Sequence, residues 1–584
     1  MEFNNVLDTM LKAAGPMTIA TSPLPDTLPA ALKRNRNFNW ITDSIFRKDV
    51  ADKLDTIKTN FRPHPICWVQ NNTYTTNYGG WLVFPYDSLM LITNTYSNYP
   101  DEAHRLLVLF KHWNIINYFD PYTYVFDKPM DSILWSVEIP IASAQDDNSF
   151  YLAIKKMTSQ FDDAHVEGGT YSYDLTFPYR GYYFPEIVLD YADNKYIVAK
   201  SGIPGIYSGD ALVSIDGLTT SQWEDSLKNY ISAGNISVFH RFMYYYLTGG
   251  PYGSVAEIKV LDSSGNTKTI NSRRLDYLSD GWFPAYGYPV DSLNSVKWTT
   301  IGCNIGYVNM GNLTTSDVNN MYSELMNKSA IIFDLRNYPN STEGQIADLM
   351  YPNYTVFAKF SIPDVTYPGT FFWDNDGLGY NNNPNPYNGK VFILMNEQTQ
   401  SQAEFSCMIL GAIPNAIKIG SQTAGTDGNV TPFRISQDIY SAFTTLGTYY
   451  PNGDSTERIG IVPDLEVLPT QKGIRHGDDE VLDKALALAC QAGINQTKQI
   501  LPSIKIYPNP SNQSFYISSQ GTGINDFLDV SMTDMTGNIV LQESIANNLD
   551  NNTARIDISS ISPGMYFVTV TNKMQTETVK IIKQ

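Results

Sequence analysis

Residues 391–404 read Val391-Phe-Ile-Leu-Met-Asn-Glu-Gln-Thr-Gln-Ser401-Gln-Ala-Glu404. The apolar run at the start predicts a buried strand, the polar residues after it predict a turn, and the apolar residues up to Leu410 predict a buried helix. Ser401 therefore stands at the N-terminus of that helix, where free N–H groups and the helix dipole favour a developing anion. The competing interpretation is that Ser401 is a simple N-cap. The rest of the chain decides between the two.

Length and charge limit the class of protein. With 584 residues the chain is too long for one hydrophobic core and predicts about three or four domains. The formal net charge of −19 leaves no basic footprint, so we expect no nucleic-acid partner. No stretch approaches the roughly 20 apolar residues that span a bilayer, so we expect no transmembrane segment.

Metal and cofactor chemistry is not expected. The four cysteines are widely spaced and form no C-x-x-C pair, and the six histidines show no H-E-x-x-H spacing. A zinc site and a dense disulfide framework are therefore not predicted, while a single disulfide stays open. The sequence also has no phosphate-cradling glycine loop. We predict neither a metal nor a cofactor.

The composition and the hydrophobic pattern of the sequence change several times along the chain. It divides into an N-terminal accessory domain with short strand-like pieces at 81–84 and 89–92 (1–95), a helical region (96–175), a region of short strands and turns (176–275), a core (276–495), a linker (496–504) and a strand-and-turn region (505–584). Strands that alternate with helices in the core predict a mostly parallel sheet with crossover helices. The last region predicts a compact antiparallel β-sandwich.

A serine nucleophile needs a base of near-neutral pKa and a group that holds the tautomer of that base. His165 is the best candidate, because it follows two aspartates at a helix end and precedes Gly168 and Gly169. This setting suits a rigid turn better than core packing. A surface histidine without a role is the competing interpretation.

Several motifs, in order, resemble serine peptidase family 41, which comprises the tail-specific and C-terminal processing proteases and the tricorn core. They are Ser401-x-x-Glu404 after an apolar strand, Ile419-Gly-Ser-Gln-Thr-Ala-Gly425 and Gly460-Ile-Val-Pro-Asp464. Residues 209–217 are similar to a motif of the PDZ domain of this family. The resemblance covers about residues 100–490. It implies a multidomain α/β and β protein with a helical N-terminal region, a PDZ-like domain and an α/β crotonase-like (ClpP-like) protease core.

The resemblance also implies a catalytic triad. Ser401 matches the nucleophile, and the branch of the family with a Ser-Lys dyad has its lysine where this chain has Thr426, which excludes that mechanism. Another branch takes a histidine from an Asp-x-His motif and a glutamate from just before the G-[IV]-x-P-D motif. His165 and Glu457 match these two positions. The implied function is a serine endopeptidase that cleaves protein or peptide substrates through an acyl-enzyme.

The predicted oxyanion hole departs from the family pattern. One donor is the backbone N–H of Gln402, and the second comes from the loop after Arg336. The family has glycines in that loop, whereas this chain reads Asn337-Tyr-Pro-Asn340. Pro339 has no N–H, so we predict that Asn340 is the second donor. The altered loop keeps open the alternative of a catalytically weak or inactive peptide-binding pseudoprotease.

Residues 505–584 resemble the sorting domain of the type IX (Por) secretion system. The resemblance rests on Tyr507-Pro-Asn-Pro-Ser-Asn512, Met535-Thr-Gly537 and Gly564-Met-Tyr-Phe567. It implies that the type IX machinery is a partner and that the protein is secreted or held at the cell surface. It also implies a Sec signal peptide, which the acidic first residues do not resemble. We therefore expect that this chain lacks its original N-terminus.

Overall fold

The computed structural model consists of two compact units, Met1–Gly493 and Ile494–Gln584. It describes residues 2–13, 35–60, 69–71, 82–84, 100–169, 171–172, 183–276, 293, 295–374, 378–380, 383–435, 439–494, 503–520, 528–534, 537–545, 553–571 and 576–584. The predicted strand at 89–92 and most of the predicted linker lie outside these ranges. Within them, no helix is long and apolar enough to cross a membrane.

The first unit mixes helices and sheets. Its helices are Glu2–Ala13, Lys48–Asn60, Glu102–Phe119, Met130–Ala142, Asp147–Thr158, Ala164–Gly169, Thr220–Leu227, Ile236–Thr248, Val318–Leu325, Glu343–Met350, Gln402–Gly411, Gln471–His476 and Glu480–Ile494, with a 3₁₀ turn at Thr123–Val125.

Two of these helices correct the prediction of turns and short strands for residues 1–95. Leu7 and Leu11 on the first helix, and Val50 and Leu54 on the second, share one small core cluster. The spacing of four in each pair is the helical period, which the sequence analysis missed. Of the predicted strands, Leu82–Val83 is present and pairs with Gln70–Asn71.

A six-stranded sheet forms the centre of the core. Its strands lie in the order Trp298–Ile301, Ile305–Asn309, Ala330–Asp334, Lys390–Met395, Ala416–Gly420 and Leu465–Glu466. Only the first pair is antiparallel. Alternate residues of the strand that precedes Ser401 enter two different core clusters, so both faces of the sheet are buried. The predicted mostly parallel sheet is confirmed.

The predicted helices near Asp101 and Ser149 are also confirmed. Asp101 caps Glu102–Phe119, because its side chain accepts a hydrogen bond from the backbone N–H of His104 at 3.0 Å. Asp146 caps Asp147–Thr158 through Ser149 in the same way. The apolar sides of these helices pack against the sheet formed by Tyr171–Ser172, Val430–Arg434 and Ile439–Thr444.

Residues 183–276 contain an antiparallel sheet and two helices. The strands lie in the order Ile187–Ala192, Lys195–Ser201, Ala211–Ile215, Val255–Leu261 and Thr267–Arg273, and Leu218–Thr219 pairs with the third. The predicted turn, strand and turn at 209–217 are present, with Gly209 and Gly217 both at a φ of +83°. A Cβ on Gly209 would also lie 2.4 Å from the side chain of Arg475, so this position requires glycine.

The remaining strands of the first unit form a smaller sheet, and one disulfide is present. Thr355–Pro363 pairs with Phe371–Trp373, Leu378–Tyr380 and Gly447–Tyr449. Cys303 is bonded to Cys490, 187 positions later in the sequence. Cys407 is free and buried, whereas Cys67 lies outside the described residues.

The second unit consists of two antiparallel sheets. One contains Ser503–Tyr507, Ser514–Gln520 and Thr553–Asp557, and the other contains Ile539–Ile545, Leu528–Asp534, Gly564–Thr571 and Thr576–Lys583. Side chains from both sheets, among them Phe515, Ile556, Val530 and Val568, form one buried core. This arrangement is the predicted antiparallel sandwich.

Candidate active site

Ser401 lies at a strained corner between a buried strand and a helix. The strand Lys390–Met395 ends in a polar loop, and the helix Gln402–Gly411 begins directly after Ser401. The backbone of Ser401 has φ 56° and ψ −120°. An ordinary N-cap residue has an extended backbone, whereas a positive φ in a residue with a side chain is uncommon and strained. Ser401 is therefore more than a simple cap.

The carboxylate of Glu404 holds this corner in place. Its Oε2 accepts hydrogen bonds from the backbone N–H groups of Ser401 at 3.2 Å and Thr426 at 2.9 Å. Its Oε1 accepts from the N–H of Gly425 at 2.8 Å and the hydroxyl of Thr423 at 2.5 Å. Burial raises the pKa of Glu404, and these hydrogen bonds oppose that rise. The glutamate of the Ser-x-x-Glu motif thus fixes the shape of the corner.

His165 occupies a short helix rather than the predicted turn, and it is only 9% exposed. Its Nδ1 lies 2.8 Å from Oγ1 of Thr444, and its Nε2 is buried without a hydrogen-bond partner among the described residues. Burial lowers the pKa of His165. The charge of Asp163 opposes this shift and that of Arg241 adds to it. The imidazole is therefore neutral near pH 7, with one nitrogen unused.

Asp163 contacts both the side chain of Thr444 and the backbone of His165. Its Oδ2 accepts the hydroxyl of Thr444 at 2.9 Å, and its Oδ1 accepts the backbone N–H of His165 at 2.7 Å. Oδ1 of Asp163 lies 3.9 Å from Nδ1 of His165. Asp163 is the aspartate of the Asp-x-His motif, for which the sequence predicts no separate role, and no local sequence signal marks Thr444.

Thr426 connects the serine corner to the histidine helix. Its carbonyl accepts the backbone N–H of Ser401 at 3.0 Å, and its Oγ1 accepts the N–H of Ala164 at 3.2 Å. Ala164 is the residue before His165, so one threonine contacts both segments. The structure therefore brings the Ser401 corner and the His165 helix together through Thr426.

Arg241 reaches the same corner from the helix Ile236–Thr248. Its Nη1 donates to the carbonyl of Glu397 at 2.9 Å, and its Nη2 donates to Oε1 of Gln400. Both acceptors belong to the loop that leads into Ser401. Burial lowers the pKa of Arg241 to about 10, so the guanidinium keeps its charge at neutral pH.

Glu457 is buried in the same region but makes no hydrogen bond to His165 in the described part of the chain. Neither of its carboxyl oxygens has a hydrogen-bond partner there. Burial raises the pKa of Glu457 well above its ordinary value, and the charge of Asp163 is the next cause. The backbone beside it is tied to the serine corner, since the N–H of Arg458 donates to the carbonyl of Gly425 at 2.7 Å.

The loop that departs from the family pattern is held by side-chain amides. Nδ2 of Asn337 donates to Asn309 at 3.0 Å, and Nδ2 of Asn340 donates to the carbonyl of Gly311 at 2.8 Å. Pro339 is buried and Asn340 is exposed. Gln402 is the first residue of its helix, so the helix itself offers no acceptor four residues earlier for its N–H. The roles of Gln402 and Asn340 as oxyanion donors stay predictions.

The described residues include no group of three or more histidine, cysteine or acidic side chains arranged to hold a metal ion. What the site offers is a serine at a strained corner, a buried neutral imidazole and an acidic surrounding. This combination is typical of nucleophilic catalysis by serine.

Comparisons with known protein families find a match for two segments of the chain. Residues 304–467 match the model of peptidase family S41. Residues 505–584 match the model of the secretion system C-terminal sorting domain. The two segments are similar to those families, and together they support a peptidase that carries a secretion sorting domain, which implies export through the type IX machinery. No curated protein gives a significant match to the chain.

Solved structures show the same fold. The structure of mature CPAF complexed with lactacystin is 14% identical, with a TM-score of 0.53 over 67% of this chain and 99% of that one. Mature CPAF alone has a TM-score of 0.51 at 14% identity over 68% and 99% of the two chains. A putative peptidase from Parabacteroides merdae reaches a TM-score of 0.41 at 13% identity over 67% and 97%. At these identities the CPAF structures establish the fold alone.

Proposed function

We propose that the protein is a secreted serine endopeptidase with Ser401 as its nucleophile and His165 as its general base. Ser401 attacks the carbonyl carbon of a peptide bond while Nε2 of His165 takes the hydroxyl proton. The same nitrogen returns that proton to the leaving amine, which leaves an acyl-enzyme that water then hydrolyses by the reverse sequence. The resemblance to the family assigns Glu457 to the third place of the triad by its position before the Gly460 motif, while its contact with the base is a separate question.

The observation that carries the proposal is the pairing of two unusual features across Thr426. On one side stands a serine in a strained backbone conformation at a helix N-terminus. On the other stands a buried histidine whose Nε2 has no partner among the described residues. A buried ring nitrogen without a partner costs stability, and such a cost is expected where the nitrogen has to accept a proton from substrate chemistry.

The oxyanion would be held by the backbone N–H groups of Gln402 and Asn340. The first lies at the positive end of the helix Gln402–Gly411, which favours a developing negative charge. The second belongs to the loop that is fixed by Asn337 and Asn340 side chains. Loss of one oxyanion donor costs about 3 kcal/mol of transition-state stabilisation, so a single working donor would leave a slow enzyme.

The other regions fit an enzyme that acts on polypeptides outside the cell. We propose that residues 176–275 are a PDZ-like domain, that 276–495 are a crotonase-like protease core and that 505–584 direct secretion. Ile187–Ala192 is an edge strand of the antiparallel sheet, and an edge strand can bind an extended peptide by adding it to the sheet. Residues 1–95 and 96–175 complete the proposed organisation as an accessory and a helical domain, with a linker at 496–504.

Casein digestion tests the proposal. The parent protein is expected to release casein fragments, whereas Ser401→Ala and His165→Ala each lose on the order of 10⁴-fold or more in rate. Ser406→Ala is the matched control, because Ser406 lies one helical turn further along and its hydroxyl donates to the carbonyl of Gln402 at 2.7 Å. Undiminished cleavage by Ser401→Ala would refute the assignment.

The altered loop 337–340 favours one alternative, a pseudoprotease that binds peptides without cutting them. In that case the parent releases no fragments from casein, and Ser401→Ala binds unfolded casein as tightly as the parent does. A parent that cleaves casein at a rate abolished by Ser401→Ala eliminates this alternative.

A further inference from the structure

We propose that Asp163, acting through the hydroxyl of Thr444, is the anionic group that orients His165 and stabilises its protonated form. Thr444 and Asp163 are thus positioning residues, and Glu457 acts without touching the imidazole. This inference rests on the proposed function, because it concerns the base of the same site.

The hydroxyl of Thr444 has a single proton, and its two contacts fix where that proton lies. An ionised carboxylate only accepts hydrogen bonds, so the hydroxyl donates to Oδ2 of Asp163 at 2.9 Å. The oxygen of Thr444 then accepts from Nδ1–H of His165 at 2.8 Å. The proton of the neutral imidazole is therefore on Nδ1. The lone pair of Nε2 is left for the hydroxyl of the nucleophile, as a general base requires.

The surroundings of Asp163 suit a charged carboxylate. Among the described residues, the groups that hydrogen-bond to its two oxygens are all donors, namely the backbone N–H of His165 at 2.7 Å, the hydroxyl of Thr444 at 2.9 Å and the backbone N–H of Thr444 at 3.4 Å. This set of donors matches a carboxylate, which only accepts hydrogen bonds. When His165 takes a proton, the new positive charge arises 3.9 Å from Oδ1 of Asp163.

Glu457 lies in the opposite kind of setting. Both of its oxygens lack hydrogen-bond partners among the described residues. Burial and then the neighbouring charge of Asp163 raise its pKa well above the ordinary value. Burial thus favours the neutral form of Glu457, which has no hydrogen bond to the imidazole. Asp163 is the carboxylate that is connected to the ring by hydrogen bonds.

Pairing between distant strands places Thr444 beside His165. Thr444 is the last residue of the strand Ile439–Thr444, whose first residues pair with Tyr171–Ser172. The latter strand follows the helix Ala164–Gly169 closely in the sequence. Thr444 and Asp163 are both buried, so water does not compete readily for the relay. Strand pairing and burial therefore fix the orientation of Thr444, although no local sequence motif marks this residue.

Steady-state kinetics of Thr444 variants test the relay. Thr444→Val removes the hydroxyl at nearly constant volume and is expected to lower kcat by about 10²–10³-fold with little change in KM. Thr444→Ser keeps the hydroxyl and is expected to restore most of kcat. Thr445→Val is the matched control, because the buried hydroxyl of Thr445 contacts Asn429 and Thr431 and has no hydrogen bond to His165. Equal losses in Thr444→Val and Thr445→Val would overturn the inference.

The pH profile separates the two carboxylates. The charged groups that act on His165 are Asp163 and Arg241, from the helix Ile236–Thr248. The negative charge of Asp163 raises the pKa of His165, so Asp163→Asn is expected to move the acid limb of kcat/KM to lower pH. Glu457 has no hydrogen bond to the imidazole and is not among the charges that act on it, so Glu457→Gln is expected to leave that limb in place. A shifted limb in Glu457→Gln with none in Asp163→Asn contradicts the inference.

Nitrogen NMR of the full chain labelled with ¹⁵N-histidine gives a reading that does not depend on catalysis. The signals of His165, one of six histidines, are identified by their loss in His165→Gln. We expect a protonated Nδ1 and an unprotonated Nε2 in the parent and in Thr444→Ser, and a mixture of tautomers in Thr444→Val. A protonated Nε2 in the parent overturns the relay even if the enzyme is active. Full activity of Ser401→Ala overturns the proposed function and leaves this tautomer reading intact.

Discussion

The Ser401 corner and the His165 helix differ in where their supporting hydrogen bonds come from. The corner is held by Glu404 and by the loop 423–426, which lie within one strand–helix–strand unit of the same sheet. The side chain of His165 depends on Thr444, which is 279 positions away in the sequence. The nucleophile is thus positioned mainly by nearby residues, with Arg241 as a distant support, whereas the base depends on the packing of distant parts of the chain.

The two regions also treat a buried glutamate differently. Glu404 accepts four hydrogen bonds at the corner, whereas Glu457 near the base has none among the described residues. A satisfied carboxylate holds its surroundings rigidly, and an unsatisfied one costs stability. The difference indicates that the corner is built for rigidity and that the base region keeps a destabilised group close to the chemistry.

The largest expected effect on stability comes from removing the support of the corner. Glu404→Ala leaves the backbone N–H groups of Gly425 and Thr426 and the hydroxyl of Thr423 without their acceptor, and we expect a loss of about 3–5 kcal/mol in the free energy of unfolding. Urea denaturation followed by tryptophan fluorescence measures this. All nine tryptophans lie before residue 374, so the signal reports the first unit alone.

Glu404→Gln is the matched control for this prediction. It keeps the shape of the side chain and one carbonyl acceptor, so we expect a loss between those of the parent and Glu404→Ala. If Glu404→Ala unfolds within about 1 kcal/mol of the parent, a typical effect for a surface change, the corner does not depend on this carboxylate. The contrast between the two regions would then fail.

A smaller effect on stability is expected from Asp427 and Glu457, two buried carboxyls with oxygens that lack hydrogen-bond partners among the described residues. Burial raises the pKa values of Asp427 and Glu457 well above those of free carboxyls, so the folded state binds more protons than the unfolded state. The stability that these groups contribute is therefore fully present below about pH 4 and declines as the pH rises above the unfolded values. Glu457→Gln removes the share of Glu457 and is expected to make this decline shallower by up to about 1.4 kcal/mol per pH unit between pH 5 and pH 7.

The same fluorescence-monitored urea titrations, repeated at several pH values, check this slope. Glu404→Gln serves as the comparison from the corner. A decline in Glu457→Gln as steep as that of the parent would show that Glu457 is ionised in the folded protein. The contrast between corner and base would then rest on hydrogen bonds alone.

The parts of the fold that the sequence predicted are those written in local patterns. The strand before Ser401, the following helix and the other parallel strands show as apolar runs of the correct length, and the helices near Asp101 and Ser149 show as helical spacing. The helices Glu2–Ala13 and Lys48–Asn60 were missed, because each buries only a narrow apolar stripe within a polar sequence.

The site was predictable to the same extent. Motif order brought Ser401, His165 and Glu457 to attention, but it could not show which carboxyl contacts the imidazole. That contact depends on strand pairing that places Thr444 beside Asp163, and no spacing in the sequence encodes it. The loop 337–340 is a similar case, since its side-chain amides replace the glycines that a motif comparison expects.

The most direct test of the central claim is to locate the adduct of a fluorophosphonate probe by mass spectrometry. Trypsin releases Ser401 within residues 391–418, which contain no internal lysine or arginine before Lys418. We predict one adduct, on Ser401, which disappears in Ser401→Ala, persists in Ser406→Ala and forms far more slowly in His165→Ala. Equal labelling of the parent and Ser401→Ala, or an adduct on another residue, would contradict the assignment of Ser401 as the nucleophile.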